Sequence, residues 1–145
     1  MNNARAKATL LLLAGLVVLL AAIPARAQTL MRVNIPFDFL AGEKVNPAGE
    51  YFIKVNPEFL VADLRSVNST NTSRVALGGY LPSHQGQDLT KAFLRFRVYG
   101  SAYALEAIGA PTATSGGYTV RPSKAEPQLA KATGGAAVPE VTLVQ

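Results

Sequence analysis

A serine, a histidine and an aspartate occur close together at Ser83, His84 and Asp88. These are the residue types of a hydrolytic triad, in which histidine takes the serine proton and the acid orients the imidazole. In such sites the side chains converge from separate elements, whereas Ser83 and His84 are adjacent in the chain. The sequence also has no G-x-S-x-G elbow. The pattern therefore favours a solvated loop over a catalytic triad.

Metal and cofactor chemistry has few ligands to draw on in this chain. It contains one histidine and no cysteine, which excludes thiol nucleophiles, cysteine-ligated zinc and iron–sulfur clusters. Asp88 is the only acid near His84, so a metal site there would lack further ligands. The phosphate-binding P-loop and G-x-G-x-x-G motifs are both absent from the sequence. We expect no metal and no cofactor.

Carboxylates could still meet in a cleft and hydrolyse a glycan, with a separation of about 5 to 9.5 Å between the pair. Asp38 is the acid to consider first, because it lies between Phe37 and Phe39 and has no predicted arginine partner. A carboxylate hydrogen-bonded to backbone is the structural interpretation of the same residue. A carboxylate-dependent hydrolase of envelope glycans, centred on Asp38, is thus one alternative function.

Cations flanked by aromatic rings form a candidate binding surface on one strand. Phe93, Arg95, Arg97 and Tyr99 alternate along the chain, so they share one face of that strand. Such a face could stack against and charge-pair with an envelope glycan or a protein edge. A solvated face that protects the strand from aggregation is the competing interpretation.

The N-terminal 27 residues have the order of a secretory signal peptide. Two early basic residues precede an apolar run at residues 8–23, and Pro24 ends that run. Small residues then lead to a predicted cleavage between Ala27 and Gln28. The apolar run is shorter than the about 20 residues that a membrane span needs. We expect an exported, periplasmic or extracellular protein with no stable membrane span after cleavage.

Cleavage would also change the charge of the chain. The full sequence has a net charge of +5, but residues 28–145 contain 11 basic and 9 acidic residues, a net charge of +2. Nucleic-acid binding requires a concentrated basic face on the domain itself. We therefore expect no nucleic-acid partner for this single domain of residues 28–145.

Period-two alternation of apolar and polar residues dominates residues 28–145 and predicts an all-β fold. The first strand is expected to run from Val33 to Phe39 with a bend at Pro36, since proline cannot donate to a strand ladder. Ser123 and Glu126 form a capping box that predicts one short C-terminal helix, at about residues 124–131. The expected architecture is an antiparallel meander of about seven short strands in a small sandwich or barrel. A last strand near residues 141–144 is expected to pair beside the first.

Three hairpins follow from the turn residues. A turn at Gly100 and Ser101 pairs Phe96 with Leu105 on the inner face and Arg95 with Glu106 on the outer face. A turn at residues 57–58 places Glu50 opposite Arg65; a longer loop would shift that register by two. The third hairpin places Leu64 opposite Leu77, and the whole set puts Phe52, Phe93, Tyr99 and Ile108 on the outer face.

Two runs carry a family resemblance: VNIPFDFLAGEKVNPAGEYFI at residues 33–53 and FLRFRVYGSAYALEAI at residues 93–108. Together with the helix and a closing VTLV, they resemble an uncharacterised family of small exported bacterial β-proteins. The resemblance implies export and a compact β-domain, and it implies no activity.

The sequence as a whole predicts an exported, non-enzymatic β-domain with a binding or structural role. Its expected partner is an envelope glycan or protein. A second alternative, beside the hydrolase, is a small β-barrel that carries an apolar ligand. The carrier would need an empty lumen, whereas Tyr51, Leu64, Phe96 and Leu105 are the side chains expected to fill it.

Overall fold

The computed structural model describes residues 29–81, 91–109, 116–134 and 140–144, which form ten strands and one helix. The first five strands are β1 (Thr29–Ile35), β2 (Phe39–Ala41), β3 (Lys44–Asn46), β4 (Gly49–Asn56) and β5 (Val61–Ser66). The others are β6 (Thr72–Leu81), β7 (Phe93–Tyr99), β8 (Ala102–Gly109), β9 (Gly117–Val120) and β10 (Glu140–Val144). The helix, α1, is Glu126–Ala132 and lies between β9 and β10. The predicted all-β class with one short C-terminal helix is confirmed.

All ten strands belong to one continuously paired sheet, which bends into two halves. We call the two halves the first and the second sheet. The first sheet contains β1, β4, β5 and the start of β6, in that order. The second contains the end of β6, then β9 and β8, and β8 in turn pairs with β7 and with β2. Among the described strands, β1 pairs with β4 alone and β10 with β7 alone, so these two edges do not close a barrel.

Strand β6 forms the corner between the two halves. Its residues 72–76 pair with β5 and its residues 77–81 pair with β9. The register shifts between Leu77 and Gly79, which marks an irregularity of the kind that bends a strand. A Cβ atom at Gly78 would lie 2.9 Å from Oγ1 of Thr119. Gly78 therefore lets the corner approach β9 closely.

The inner faces of the two sheets enclose one hydrophobic core. The ring of Phe39 on β2 meets that of Tyr51 on β4 edge-on, with centroids 5.3 Å apart, and this contact joins the two halves. The four side chains expected to fill the interior do so, with exposures of 2% or less: Tyr51, Leu64, Phe96 and Leu105. This packing is that of a filled core.

The expected single strand through Pro36 is wrong in one respect, because the chain changes sheets there. Strand β1 ends at Ile35 in the first sheet, and β2 begins at Phe39 in the second. The ring of Phe37, between them, stacks on Tyr103 at a centroid distance of 3.8 Å. Strand β2 then runs parallel to β8, so the sheet is not a pure antiparallel meander, and the short β2–β3 hairpin raises the strand number above seven.

The β7–β8 hairpin confirms the predicted register near the turn and departs from it farther along. Gly100 has a φ of +61°, and Phe96 lies opposite Leu105 as predicted. The register then shifts by one residue, so Arg95 lies opposite Ala107 and the predicted Arg95–Glu106 pair is wrong. The shift leaves Glu106 as an extra residue and turns Ile108 into the core, opposite Leu94.

The other two hairpins keep the predicted faces but not the first-choice registers. A four-residue connection at residues 57–60 shifts β5 by two, the alternative that the proline in the turn had suggested, so Arg65 lies opposite Phe52 and not opposite Glu50. In the third hairpin Leu64 lies opposite Ser73 and not Leu77. A shift by an even number of residues keeps every side chain on its original face, which is why the core was still identified correctly.

Helix α1 covers part of the outer face of the second sheet. Its Leu129 and Ala130 pack with Leu40, Tyr99 and Ala104. The carboxylate of Glu126 accepts the Ser123 backbone N–H at 3.0 Å, which is half of the predicted capping box. Strand β10 pairs with β7 at the far edge, so the expected pairing beside β1 is wrong. No helix in the described part of the chain is long and apolar enough to cross a membrane.

Burial raises the pKa of the Tyr51, Tyr99 and Tyr118 phenols above the ordinary tyrosine value. A raised pKa in the folded state favours folding below the unfolded-state value of about 10, and this contribution is lost as the pH rises through the folded-state value. We therefore expect the free energy of unfolding to fall above about pH 10. The difference between the phenolate absorbance titrations of the wild type and Tyr51→Phe isolates Tyr51. A midpoint at or below the ordinary value for Tyr51 would contradict the expectation.

Candidate functional site

The outer face of the first sheet holds an open groove of about 640 Å³. We call it the sheet-face groove. Its lining side chains come from β1, β4, β5, β6 and the β5–β6 loop: Leu30, Phe52, Lys54, Asp63, Arg65, Thr70, Thr72 and Arg74. Whereas the helix covers part of the second sheet, these side chains form a solvent-facing surface.

Strand alternation explains why the groove is polar and charged. Along β4 the side chains of Tyr51, Ile53 and Val55 are buried, so the intervening Phe52 and Lys54 point outward. The observed register then sets their neighbours. Phe52 lies between Arg32 on β1 and Arg65 on β5.

Two of the arginines on this face are held by carboxylates. Arg32 Nε lies 2.6 Å from Glu50 Oε1, and Arg74 Nε donates to Asp63 Oδ1 at 2.6 Å. The hydrogen bond from Arg32 lowers the pKa of Glu50. Because the arginines are well exposed, these pairs contribute little to stability. Their main effect is to neutralise both acids of the face.

Lys54 and Arg65 are the cations that remain without a carboxylate partner in the described part of this face. Both are exposed. Since Lys54 lies directly opposite Asp63, it is the diagonal neighbour of Arg65, a relation that places Cα atoms about 7 to 8 Å apart. The Phe52 side chain beside them is 36% exposed, and the Arg32 guanidinium lies 5.7 Å from its ring centre. The arrangement offers two available positive charges next to an aromatic surface.

The predicted binding surface on β7 is largely occupied by the protein itself. Phe93 packs with Leu81 and Ala107, and Arg95 lies 5.8 Å from the Phe93 ring centre. Phe93 and Tyr99 are only 7% and 8% exposed. Strand β7 therefore does not present the exposed rings and cations that the predicted binding surface requires.

Arg97 and Tyr99 from that predicted surface belong to an internal polar cluster. Arg97 Nη1 donates to Glu126 Oε2 at 2.6 Å, and its Nε lies 3.3 Å from Glu106 Oε1. The Tyr99 hydroxyl donates to the same oxygen of Glu126 at 3.1 Å. The cluster joins helix α1 to the second sheet.

Asp38 has a structural partner. Its Oδ1 accepts the backbone N–H of Ala48 at 2.7 Å, which ties the crossing between the sheets to the turn before β4. Across the described residues, no three histidine or acidic side chains gather where they could hold a metal ion. The geometry around Asp38 is that of a backbone-bound carboxylate.

Several predicted residues lie outside the described residues. These are Ser83, His84 and Asp88, and the predicted cleavage pair Ala27 and Gln28.

A second open groove, of about 320 Å³, runs between helix α1 and the β2–β3 hairpin. Leu40, Val45 and Leu129 are among its lining residues, and Asp38 is its charged one. Because that carboxylate already binds Ala48, this groove presents mainly apolar surface. The sheet-face groove is twice as large and carries the available cations.

The sequence did not predict the sheet-face groove because the predicted register between β4 and β5 was wrong. The predicted turn at residues 57–58 places Arg65 opposite Glu50, where the two charges would form a solvated pair. The observed shift gives Glu50 to Arg32 and leaves Arg65 beside Phe52. The proline in the turn was the available signal, because it disfavours a two-residue hairpin.

Comparisons with protein-family models, with curated proteins and with solved structures find no match to this chain.

Proposed function

We propose that this protein is an exported, non-enzymatic binding domain that acts in the periplasm or outside the cell. The observation that supports binding most directly is the sheet-face groove, where Lys54 and Arg65 have no carboxylate partner among the described residues and lie beside the 36% exposed Phe52. The sequence order of residues 1–27 supports export.

A rigid surface of this kind suits binding more than chemistry. Phe52, Lys54, Asp63 and Arg65 of the groove stand on β4 and β5, which are paired on both sides, so the sheet sets the positions of these residues. Its one carboxylate, Asp63, is engaged by Arg74 at 2.6 Å and 3.2 Å. A general acid or base needs a carboxylate whose proton is available to the substrate. We therefore assign the groove to recognition.

Export is tested by expressing the full chain with a C-terminal tag in a bacterial host and fractionating the cells. We expect the protein in the exported fraction, with an intact mass that corresponds to a chain starting at Gln28. Retention of the full-length mass in the cytoplasm would contradict the proposal.

Binding is tested with a charge variant of the groove. We expect Lys54→Gln/Arg65→Gln to release the exported protein from the envelope fraction at low salt, because two cations are lost from the contact surface. Lys124→Gln/Lys131→Gln is the matched control, since it removes the same charge from exposed residues on the helix side. Equal retention of the two variants would refute a role for the groove.

A further inference from the structure

We propose that the sheet-face groove binds a carboxylate-bearing polysaccharide, an inference that rests on the binding function proposed above. Four features of the groove support this ligand class: its available charges, the pairing of its backbone, its exposed ring and its hydroxyl groups.

The available charges require an anionic ligand. Arg74 engages Asp63, and Arg32 engages Glu50, so neither acid competes for Lys54 and Arg65. The planar fork of an arginine matches the two oxygens of a carboxylate. Lys54, the diagonal neighbour of Arg65, supplies a second positive charge from a residue whose Cα atom lies about 7 to 8 Å away.

The pairing of the strands disfavours a peptide. Strand β4 lies between β1 and β5, and β5 lies between β4 and β6, so the ladder hydrogen bonds of both strands are made within the sheet. Extended peptides are commonly recognised by main-chain hydrogen bonds at an open sheet edge. The floor of the groove offers side chains only. A ligand here is held through side-chain contacts, and a sugar chain offers hydroxyl and carboxylate groups for such contacts.

The ring and the hydroxyls suit sugar units. A pyranose ring has one face made of C–H groups, which can pack on the exposed part of Phe52. Thr70 and Thr72 line the same groove, and each hydroxyl can both donate and accept a hydrogen bond. These groups match a ligand that alternates apolar ring faces with hydroxyl groups.

A nucleic acid fits the same surface poorly. A DNA duplex carries one phosphate charge on each strand for about every 3.4 Å of helix axis, and binding relies on many lysine and arginine contacts. Among the residues that the structure describes on this face, only Lys54 and Arg65 are available, and residues 28–145 have a net charge of +2. The small number of available cations favours a ligand that combines a few charge contacts with apolar ring faces and hydroxyl groups.

The test measures binding of the exported, processed protein to polygalacturonate by calorimetry. The comparison ligands are the carboxyl-reduced form of the same polymer, polyglutamate and dextran sulfate. We expect reduction of the carboxylates to weaken binding at least about tenfold, since a charge-assisted hydrogen bond is lost at each cation. Comparable binding of polyglutamate or dextran sulfate would overturn the proposal, because it would show that negative charge suffices.

Two variant pairs locate the binding. Lys54→Gln/Arg65→Gln should lose about tenfold or more in affinity, and Lys124→Gln/Lys131→Gln should retain it. Phe52→Ala should weaken binding, whereas Phe59→Ala, at a 71% exposed loop position, should not. Denaturant unfolding of each variant verifies that these exposed substitutions leave the fold intact.

The outcome separates this ligand class from the function on which it rests. If envelope retention depends on Lys54 and Arg65 but polygalacturonate neither binds nor competes, the ligand class is wrong and the binding function stands. If retention does not depend on these cations, the binding function itself fails. Failure of polygalacturonate to bind overturns the ligand class in either case.

Discussion

Replacement of Gly117 by alanine is expected to destabilise the protein by about 3 kcal/mol or more, combining backbone strain of about 1 to 3 kcal/mol with overpacking of about 1 to 3 kcal/mol. Gly117 begins β9 with a φ of +136°, a region that is essentially restricted to glycine. An added Cβ atom would lie 2.5 Å from the Ile108 carbonyl oxygen and 2.8 Å from Gly109 Cα. Both are backbone atoms of β8, so the clash cannot be relieved by rotating a side chain.

Gly79→Ala is the matched control for this substitution. Gly79 also lies in a strand, but an added Cβ atom there would meet no atom within 4 Å, and its φ is not in the left-handed region. We expect its free energy of unfolding to stay within about 0.5 kcal/mol of the wild type. Urea unfolding of the two variants makes the comparison. Similar stabilities for Gly117→Ala and the wild type would show that Gly117 does not pack this closely on the backbone of β8.

Removal of the Arg97 guanidinium is expected to cost about 3 kcal/mol, because it leaves buried carboxylates without their cation. The Glu126 and Glu106 side chains are 6% and 19% exposed, so water compensates little for the loss. Glu106 Oε2 is already buried and has no hydrogen-bond partner in the described part of the chain. Arg97→Gln should therefore loosen helix α1 and lower the urea midpoint of the whole domain.

An exposed ion pair with the same N–O distance is the control for the buried Arg97–Glu126 pair. Arg74 and Asp63 are also 2.6 Å apart, but their side chains are 70% and 34% exposed, so Arg74→Gln should lower the free energy of unfolding much less than Arg97→Gln. A second comparison replaces both members of the buried pair, Arg97→Met with Glu126→Leu, and should recover part of the stability, because Glu126 is no longer left unpaired while Glu106 still loses its cation. Equal losses for Arg97→Gln and Arg74→Gln would contradict the buried role of the cluster.

The core and the fold class could be predicted from the sequence because alternation specifies which face each strand buries. Ile53 and Leu64 were expected in the core, and both are fully buried although their registers moved. The turn at Gly100 was predicted for a similar local reason, since the required positive φ favours glycine. These features depend on neighbouring residues in the chain.

The candidate site depended on contacts between distant strands. The neighbours of Arg65 changed when β5 shifted by two residues, although its face did not. The alternating side chains from Phe93 to Tyr99 on β7 were predicted to form an open surface. Helix α1 covers Tyr99, however, and the rings of Phe93 and Tyr99 are buried. A strand pattern identifies an outer face without specifying what packs on it.

The amino-acid order alone determined the β character of the chain, most of the inner residues, the main turn at Gly100 and the C-terminal helix, because each follows from local geometry or from period-two burial. Only the tertiary structure decided the strand registers, the change of sheet after Ile35 and the pairing of β10 with β7. It also decided which outer face is covered. The physical reason is that an even register shift costs no core burial, so long-range packing of the helix and the loops selects among arrangements that the alternation leaves equivalent.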